Sequence, residues 1–376
     1  MKARQLAVSV LGALAVSACG SLNPFAADAK IPALKPIASA VATTEEWHAR
    51  VGDAGRYVLQ PALSGGVVFA AGDGDVERLE NGRTVWKTPL KVTVSGGVGS
   101  DGQLVVVGTP KGEVIALDAA TGQVRWRVFV NAEVLAAPGV SGAIVVVRSA
   151  DSRLFGLDPA DGKQRWVYQR ATPPLSLRNA AGVVLDRDAI FAGFPGGKLA
   201  AISPANGSLM WEGTVAIPRG ATELERMADI TSTPVIGSRA TCAVAFQGRV
   251  ACFDMSNGTT LWTRDLSSSK GLDLDERHVF VTDEKGAVHA LDIASGASAW
   301  KQDQLAGRGT GRPKVAGDYV VVGDVEGYVH LLRKDDGSVV GRRRAASAPI
   351  LADLSRSSGS IVVQARDGSV SAIGVE

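Results

Sequence analysis

Short β-branched apolar runs punctuated by turn residues dominate the chain, and helical periodicity is nearly absent. LVVVG at 104–108, AIVVVR at 143–148 and YVVVG at 319–323 each precede a turn. A second apolar run follows, such as EVIAL at 113–117, and then a polar turn leading into a strand that carries tryptophan. ALDAATGQVRW at 116–126 shows this last unit clearly. It returns as GLDPADGKQRW at 156–166, AISPANGSLMW at 201–211, CFDMSNGTTLW at 252–262 and ALDIASGASAW at 290–300. RLENGRTVW at 78–86 has a shorter turn, Trp47 in EEWHAR has the strand without the turn, and LLRKDDGSVVG places Gly341 where tryptophan is due. Short strands with turn signals about every 8 to 12 residues predict an all-β array.

From Trp47 to Gly341 the spacings are 39, 40, 40, 45, 51, 38 and 41 residues, which makes eight copies. Segments such as LAAPGV at 135–140 and STPVI at 232–236 supply a fourth strand to each. Four antiparallel strands in about 40 residues make one propeller blade. Within each turn, Asp can accept the amide two residues on and Gly can adopt positive φ. The indole can cover the gap between splayed blades while its N–H finds an acceptor. The final residues, SIVVQARDGSVSAIGVE, supply strands but no tryptophan strand, and residues near 44 to 51 supply only that. The fold expected is therefore a single all-β, eight-bladed β-propeller of four-stranded antiparallel blades, closed by pairing of the N-terminal strand with the C-terminal blade. Closure removes an open edge of the kind that invites aggregation.

The first residues carry Lys2 and Arg4 ahead of an apolar run from Leu6 to Ala18, the layout of a secretory signal and too short to span a bilayer. Val16-Ser17-Ala18-Cys19 resembles the bacterial lipobox. That resemblance implies cleavage after residue 18 and a diacylglyceryl group on Cys19, with palmitate among the acyl chains. Gly20 in place of Asp implies sorting to the outer membrane, with the protein lipid-anchored and facing the periplasm. Three acyl chains anchor firmly where one does not. Residues 19–44 read as the lipidated N-terminus and a flexible linker rich in Ala, Pro and Ser, of reach about 80 Å at most. The propeller occupies 45–376. Removing residues 1–18 takes two of 40 basic residues and leaves 38 against 38 acidic ones. A nucleic-acid binder shows a basic footprint, and none survives.

The repeat Ala-x-Asp-x-x-x-Gly-x-x-x-Trp resembles the tryptophan-docking repeat of the quinoprotein alcohol dehydrogenases over residues 45–376. Two function classes share it. The dehydrogenases hold pyrroloquinoline quinone and calcium at the propeller axis, often beside a disulfide of adjacent cysteines, and this chain has no adjacent cysteines. Other catalytic signatures are absent, and Gly307-Arg308-Gly309-Thr310-Gly311 reads as a loop between blades. No catalytic residue, cofactor or metal is expected. His289 and His330 recur three residues after Gly286 and Gly327, which repetition explains better than metal binding; His48 and His278 have no partners nearby in sequence. Cys242 and Cys252 flank the hairpin CAVAFQGRVAC, compatible with a disulfide and equally with two buried thiols.

The second class is the outer-membrane protein assembly factor BamB family, lipoprotein scaffolds of the β-barrel assembly (BAM) complex. The lipobox, linker and eight repeats resemble that family. The two longest spacings follow Trp166 and Trp211, and both insertions should emerge side by side on one face. Long connections in compact domains are commonly functional. Thr222-x-x-Glu225 predicts a capping box opening a short helix in ATELERMADI, with Leu224, Met227 and Ala228 on one side. Pro173-Pro174 stiffens the approach to Leu175-Ser176-Leu177-Arg178. The resemblance implies that Leu175, Leu177, Arg178 and Asp229 form a docking surface for the periplasmic POTRA domains of BamA, with Thr231 where the family has a second acid. Apolar anchors beside an oriented Arg often carry interface energy. Blade rims could also pair with unfolded outer-membrane β-barrel clients. Arg342-Arg343-Arg344 reads as a solvated outer strand, with lipid headgroups as the other assignment.

Overall fold

The computed structural model describes residues 31–375 except 38, 39, 179 and 358. The expected signal segment, residues 1–18, and Cys19 lie outside the described residues. Eight four-stranded antiparallel sheets account for the strands, and no helix occurs among the described residues. Blade 1 comprises Ala62–Ser64, Val67–Gly72, Asp75–Glu80 and Arg83–Pro89, counted from the axis outward. The order repeats to blade 7, formed by Lys314–Ala316, Tyr319–Gly323, Tyr328–Arg333 and Val339–Arg344. Blade 8 takes three strands from the C-terminal part, Ser355–Ser357, Ser360–Gln364 and Ser369–Val375, and its outer strand from Thr43–Arg50. Thr43 faces Val375 and Arg50 faces Ser369, so the expected closure is the one observed. Some innermost strands are shorter than the sequence implies, Gly139–Val140 and Val235–Ile236 being two residues each.

Tryptophan sets the joints, with one exception between blades 7 and 8. The indole N–H of Trp126 donates to the Pro159 carbonyl at 2.9 Å, that of Trp166 to Pro204 at 2.9 Å and that of Trp211 to Met255 at 2.9 Å. Each acceptor lies one residue into the turn of the following blade. The turn glycine lies against the same ring: a Cβ on Gly162, where φ is +74°, would come within 2.7 Å of Trp126. Glycine is thus required twice at one position, for the left-handed backbone and for the close approach. Opposite Trp126 stands the small Ala116, and the register shifts between Ala116 and Leu117. A bulge of this kind re-aims the side chains beside it. The residue it adds, Arg125, pairs with Asp118 of the same turn. That guanidinium, with the Thr121 amide and hydroxyl, lowers the Asp118 carboxyl to about 2. The Asp and Arg of the repeated phrase hold a turn.

Gly341 marks the joint between blades 7 and 8, where docking of this form has no receptor. In blade 8 the third and outer strands come from opposite ends of the chain, so no hairpin turn joins them. The N-terminal segment fills the joint instead. The Val41 amide donates to the Val340 carbonyl at 2.6 Å, and Val41 packs against the cluster containing Leu331, Val340 and Ile373. A Cβ on Gly341 would meet Leu331 at 3.2 Å and Thr43 at 3.4 Å.

Cys242 and Cys252 are direct partners across a hairpin of blade 5 and are joined by a disulfide. Both are fully buried.

Trp126→Ala is expected to lower the unfolding free energy by about 3 to 5 kcal/mol in urea denaturation. Trp126→Phe keeps most of the apolar area and loses the bond to Pro159, so a smaller loss, about 1 kcal/mol beyond the area change, is expected. Equal losses for the two variants would mean that the hydrogen bond, not the ring, sets the joint.

Candidate functional site

The long connections cover residues 169–182, between blades 3 and 4, and 215–234, between blades 4 and 5. In an antiparallel blade, connections from outer to next inner strand emerge on the same face as the turns between second and third strands. The two loops lie side by side on that face and are bonded together. Asp229 accepts the Leu177 amide at 2.7 Å and, from the neighbouring turn, the Gly196 amide at 3.0 Å. Thr233 accepts the Gly182 amide at 2.9 Å.

Beneath them sits Arg148, buried at 6% exposure, its guanidinium 5.4 Å from the Phe194 ring and donating to the Ala181 carbonyl at 3.2 Å. Burial draws its pKa down to about 10, opposed by the Asp229 carboxylate, so it remains charged at neutral pH. Arg148 ends its strand where two sister runs end in Gly108 and Gly323. At those glycines the loop of the same joint presses a β-branched side chain inward: a Cβ on Gly108 would sit 2.2 Å from Val134, and one on Gly323 would sit 2.6 Å from Ile350. At Arg148 a long cation takes that place, and the 169–182 loop meets it through the Ala181 carbonyl.

The outcome is an apolar edge held outward. Leu175 is 42% exposed, Leu177 is half-buried, and Arg178 is exposed and paired with Glu133 of the connection before blade 3. That carboxylate raises the Arg178 pKa above its ordinary value. Leu177 and Arg178 border a recess of about 360 Å³ at the mouth of the central channel, with Val58, Leu135, Ile350 and Leu351 across it.

Two expectations change. Asp229 was assigned to the docking surface, yet its side chain is 0% exposed and spent on two amides and the field of Arg148. It holds the Leu177 backbone from below. The short helix does not form. The capping box is present, with the Glu225 amide donating to the Thr222 hydroxyl at 3.2 Å and the Thr222 amide to the Glu225 carboxylate at 3.1 Å. Only one turn follows, because Asp229 and Ile230 are drawn into the core immediately afterwards, and one isolated turn cannot propagate. Leu224 consequently stands 61% exposed, away from the buried Met227 and Ala228. Thr231 is turned to the Ser269 carbonyl at 3.3 Å.

The remaining candidates are structural. His289 donates to Asp283 and His330 to Asp324, both at 2.9 Å, in equivalent places of blades 6 and 7. His48 lies 3.0 Å from the Ser371 hydroxyl, and His278 packs against Phe280. Among the described residues no group of three or more His, Cys, Asp or Glu is placed to hold a metal ion. Of the arginine triplet, Arg342 and Arg343 are half-buried in a polar cluster, while Arg344 is exposed. Arg308, 1% exposed, donates to Asp324 at 2.7 and 2.9 Å, and Arg342 donates to His330 Nδ1 at 3.3 Å. Arg343 donates to the Thr43 carbonyl at 3.0 Å, and Arg344 lies 5.7 Å from the Tyr328 ring. Burial lowers the His330 pKa despite the bond to Asp324. Burial would raise Asp324, but bonds from His330, the Tyr328 amide and Arg308 outweigh it and hold the carboxyl below its ordinary value.

Eight four-stranded blades joined by docked tryptophans, with two pinned loops on one face, define a tryptophan-docking β-propeller. The family model described as "Outer membrane protein assembly factor BamB" matches residues 72–302. An outer membrane protein assembly factor BamB of Bordetella pertussis is 39% identical over 368 residues, covering 97% of this chain and 95% of its own. The crystal structure of BamB from Moraxella catarrhalis superposes with a TM-score of 0.83 at 30% identity, covering 89% of this chain and all of that one. The chain belongs to the BamB family of outer membrane protein assembly factors. The quinohemoprotein alcohol dehydrogenase of Comamonas testosteroni, at TM-score 0.70 and 12% identity over 88% of this chain and 76% of its own, shares the fold alone.

Asp229→Ala would leave two amides without their acceptor and Arg148 buried without its counter-charge. A loss of about 3 to 5 kcal/mol in chemical denaturation is expected, with faster tryptic cleavage after Arg178. Unchanged cleavage would show that Asp229 does not hold the loop. Acid should weaken the protein in two stages. Below the ordinary imidazole value of 6.5 the unfolded chain takes a proton that folded His330 refuses, so acid favours unfolding. The contribution of Asp324 is present above the carboxyl value of 3.8 and disappears as pH falls through its lowered pKa. Melting temperature followed from pH 8 to 5 should fall less steeply in His330→Gln than in the parent.

Proposed function

We propose that the protein is a non-catalytic scaffold lipoprotein of the BAM complex, which docks the periplasmic POTRA domains of BamA and assists delivery and insertion of β-barrel proteins into the outer membrane. In this reading residues 1–18 are a signal peptide, Cys19 carries the lipid that anchors the protein on the periplasmic side of the outer membrane, and residues 45–376 are the working domain. The observation that carries it is the apolar loop Leu175-Ser176-Leu177-Arg178, held away from the core by the buried Asp229 and Arg148.

Binding needs no chemistry here. A partner covering Leu175 and the outer part of Leu177 removes apolar surface from water at about 25 cal/mol per Å². Arg178 then exchanges or shares its bond to Glu133, which orients the partner. Because the loop is already pinned, little ordering entropy is spent on association. The dehydrogenases share the same scaffold, and an axial quinone site finds no support in the sequence, which lacks their adjacent cysteines.

Leu175→Ala and Arg178→Ala are expected to reduce co-purification of BamA at least about tenfold, the equivalent of about 1.4 kcal/mol each. Melting should hardly move, since Arg178 forms an exposed ion pair of the kind worth about 0 to 1 kcal/mol. Undiminished co-purification by both variants would place the docking surface elsewhere.

A further inference from the structure

Blade 7 has an outer strand whose joint lacks tryptophan, and it is also where the N-terminal segment crosses the propeller. Pro32 gives its carbonyl to the Arg308 guanidinium. Lys35 gives its carbonyl to Arg342 at 3.1 Å, and Val41 donates to Val340. Val340 and Arg342 belong to the outer strand Val339–Arg344, which runs toward the loop face. Contacts from residue 32 to residue 41 descend that strand in the opposite direction, from the loop face to the far end. The segment then enters the outer strand of blade 8 at Thr43.

We propose that residues 31–37 and 40–42 form a clasp, laid along the edge of blade 7 by Arg308 and Arg342, which fixes at the loop face the point where the N-terminal tether leaves the propeller. Arg308 is suited to this because it is buried and held from several sides. Asp324, 0% exposed, takes two of its bonds, Glu326 takes another, and the Tyr328 ring lies 5.9 Å from its carbon centre. Its Nη1 donates to the Pro32 carbonyl. Gly307, at φ +79°, permits the approach, since a Cβ there would come within 3.1 Å of the Pro32 ring. Pro32 and Pro36 restrict the segment to extended backbone, which lowers the entropy lost on docking. Both arginines hold main-chain carbonyls, so the clasp reads an extended chain in a given register more than it reads side chains.

For a chain anchored at Cys19, as proposed above, the clasp shortens the tether. Residues 20–30 reach about 35 Å fully extended, against about 80 Å for the whole stretch to residue 44. It also starts the tether on the face that bears Leu175, Leu177 and Arg178, three blades round the ring, and so holds that face toward the anchoring surface.

The test is a distance distribution between spin labels at Ala33→Cys and Thr121→Cys in the full chain carrying Cys19→Ser, where Cys242 and Cys252 are bonded to each other. The parent should give a narrow distribution. Arg308→Ala, and separately replacement of residues 31, 32 and 34–36 by Gly and Ser, should broaden it by about 10 Å, the spread of a flexible segment of this length. The second variant leaves the Arg308–Asp324 pair in place, so broadening there is not loss of the blade. A parent distribution as broad as the replacement variant's overturns the clasp. Lipidation and BamA are both absent from the experiment, so failure of the docking reading leaves its outcome unchanged.

Discussion

An indole seated in the turn of the next blade is the interaction on which this propeller depends. It works in one direction only: Trp126 completes blade 3 rather than its own blade, and Trp166 completes blade 4. Each turn must therefore present a carbonyl at one fixed position and a glycine with no side chain against the ring. The Asp that caps the turn, the bulge that aims the tryptophan and the small residue opposite it follow from that geometry. A mutation in one blade is felt in its neighbour, and the stability of the ring is a sum over joints.

A closed ring made from an open chain has one blade shared by the two chain ends, and that blade cannot offer a turn where the ends meet. The loss of tryptophan at Gly341 follows from topology. The same break explains why cations gather there. Arg308, Arg342 and Arg343 bond to main-chain carbonyls of the arriving N-terminal segment, whose acceptors have no strand partner of their own. An unfilled carbonyl beside a buried surface costs about as much as a lost hydrogen bond, and guanidinium groups can reach across an irregular gap to supply it. The clasp and the absent indole are two consequences of one constraint.

Much of the fold was legible because the repeat encodes joints, and a joint is a local phrase. Asp, Gly and Trp recur at fixed offsets, so counting them yields blade number, strand order and the shared blade. The insertions were legible as stretched spacings after Trp166 and Trp211, and their adjacency followed from strand direction. What stayed hidden depends on burial, which offsets do not encode. Thr222 and Glu225 form their capping box, yet the helix is forestalled by the pull of Asp229 and Ile230 into the core. Asp229 looks like a surface acid in sequence, and only its two amide bonds show it to be internal. One signal was available. Arg148 closes an apolar run where the sister runs close on glycine, and a long cation at a position of close approach has to be held by something.

That cation bears on why an apolar loop stands in water at all. Leu177 borders a recess with Val58, Leu135, Ile350 and Leu351 among its lining, and collapse of the loop into it would gain about 25 cal/mol per Å² of covered apolar surface. A flexible loop would take that gain. Here the Leu177 amide is fixed to a carboxylate that cannot move without leaving the buried Arg148 without its counter-charge, and the Gly182 amide is fixed to Thr233. Breaking either bond leaves a buried polar group unsatisfied, at about 1 to 3 kcal/mol, more for a charge. That penalty matches the roughly 1.5 to 3 kcal/mol that burying a leucine side chain returns, and the uncompensated charge on Arg148 tips the balance against collapse. A buried ion pair that adds little to net stability can in this way decide the position of surface residues several ångströms above it.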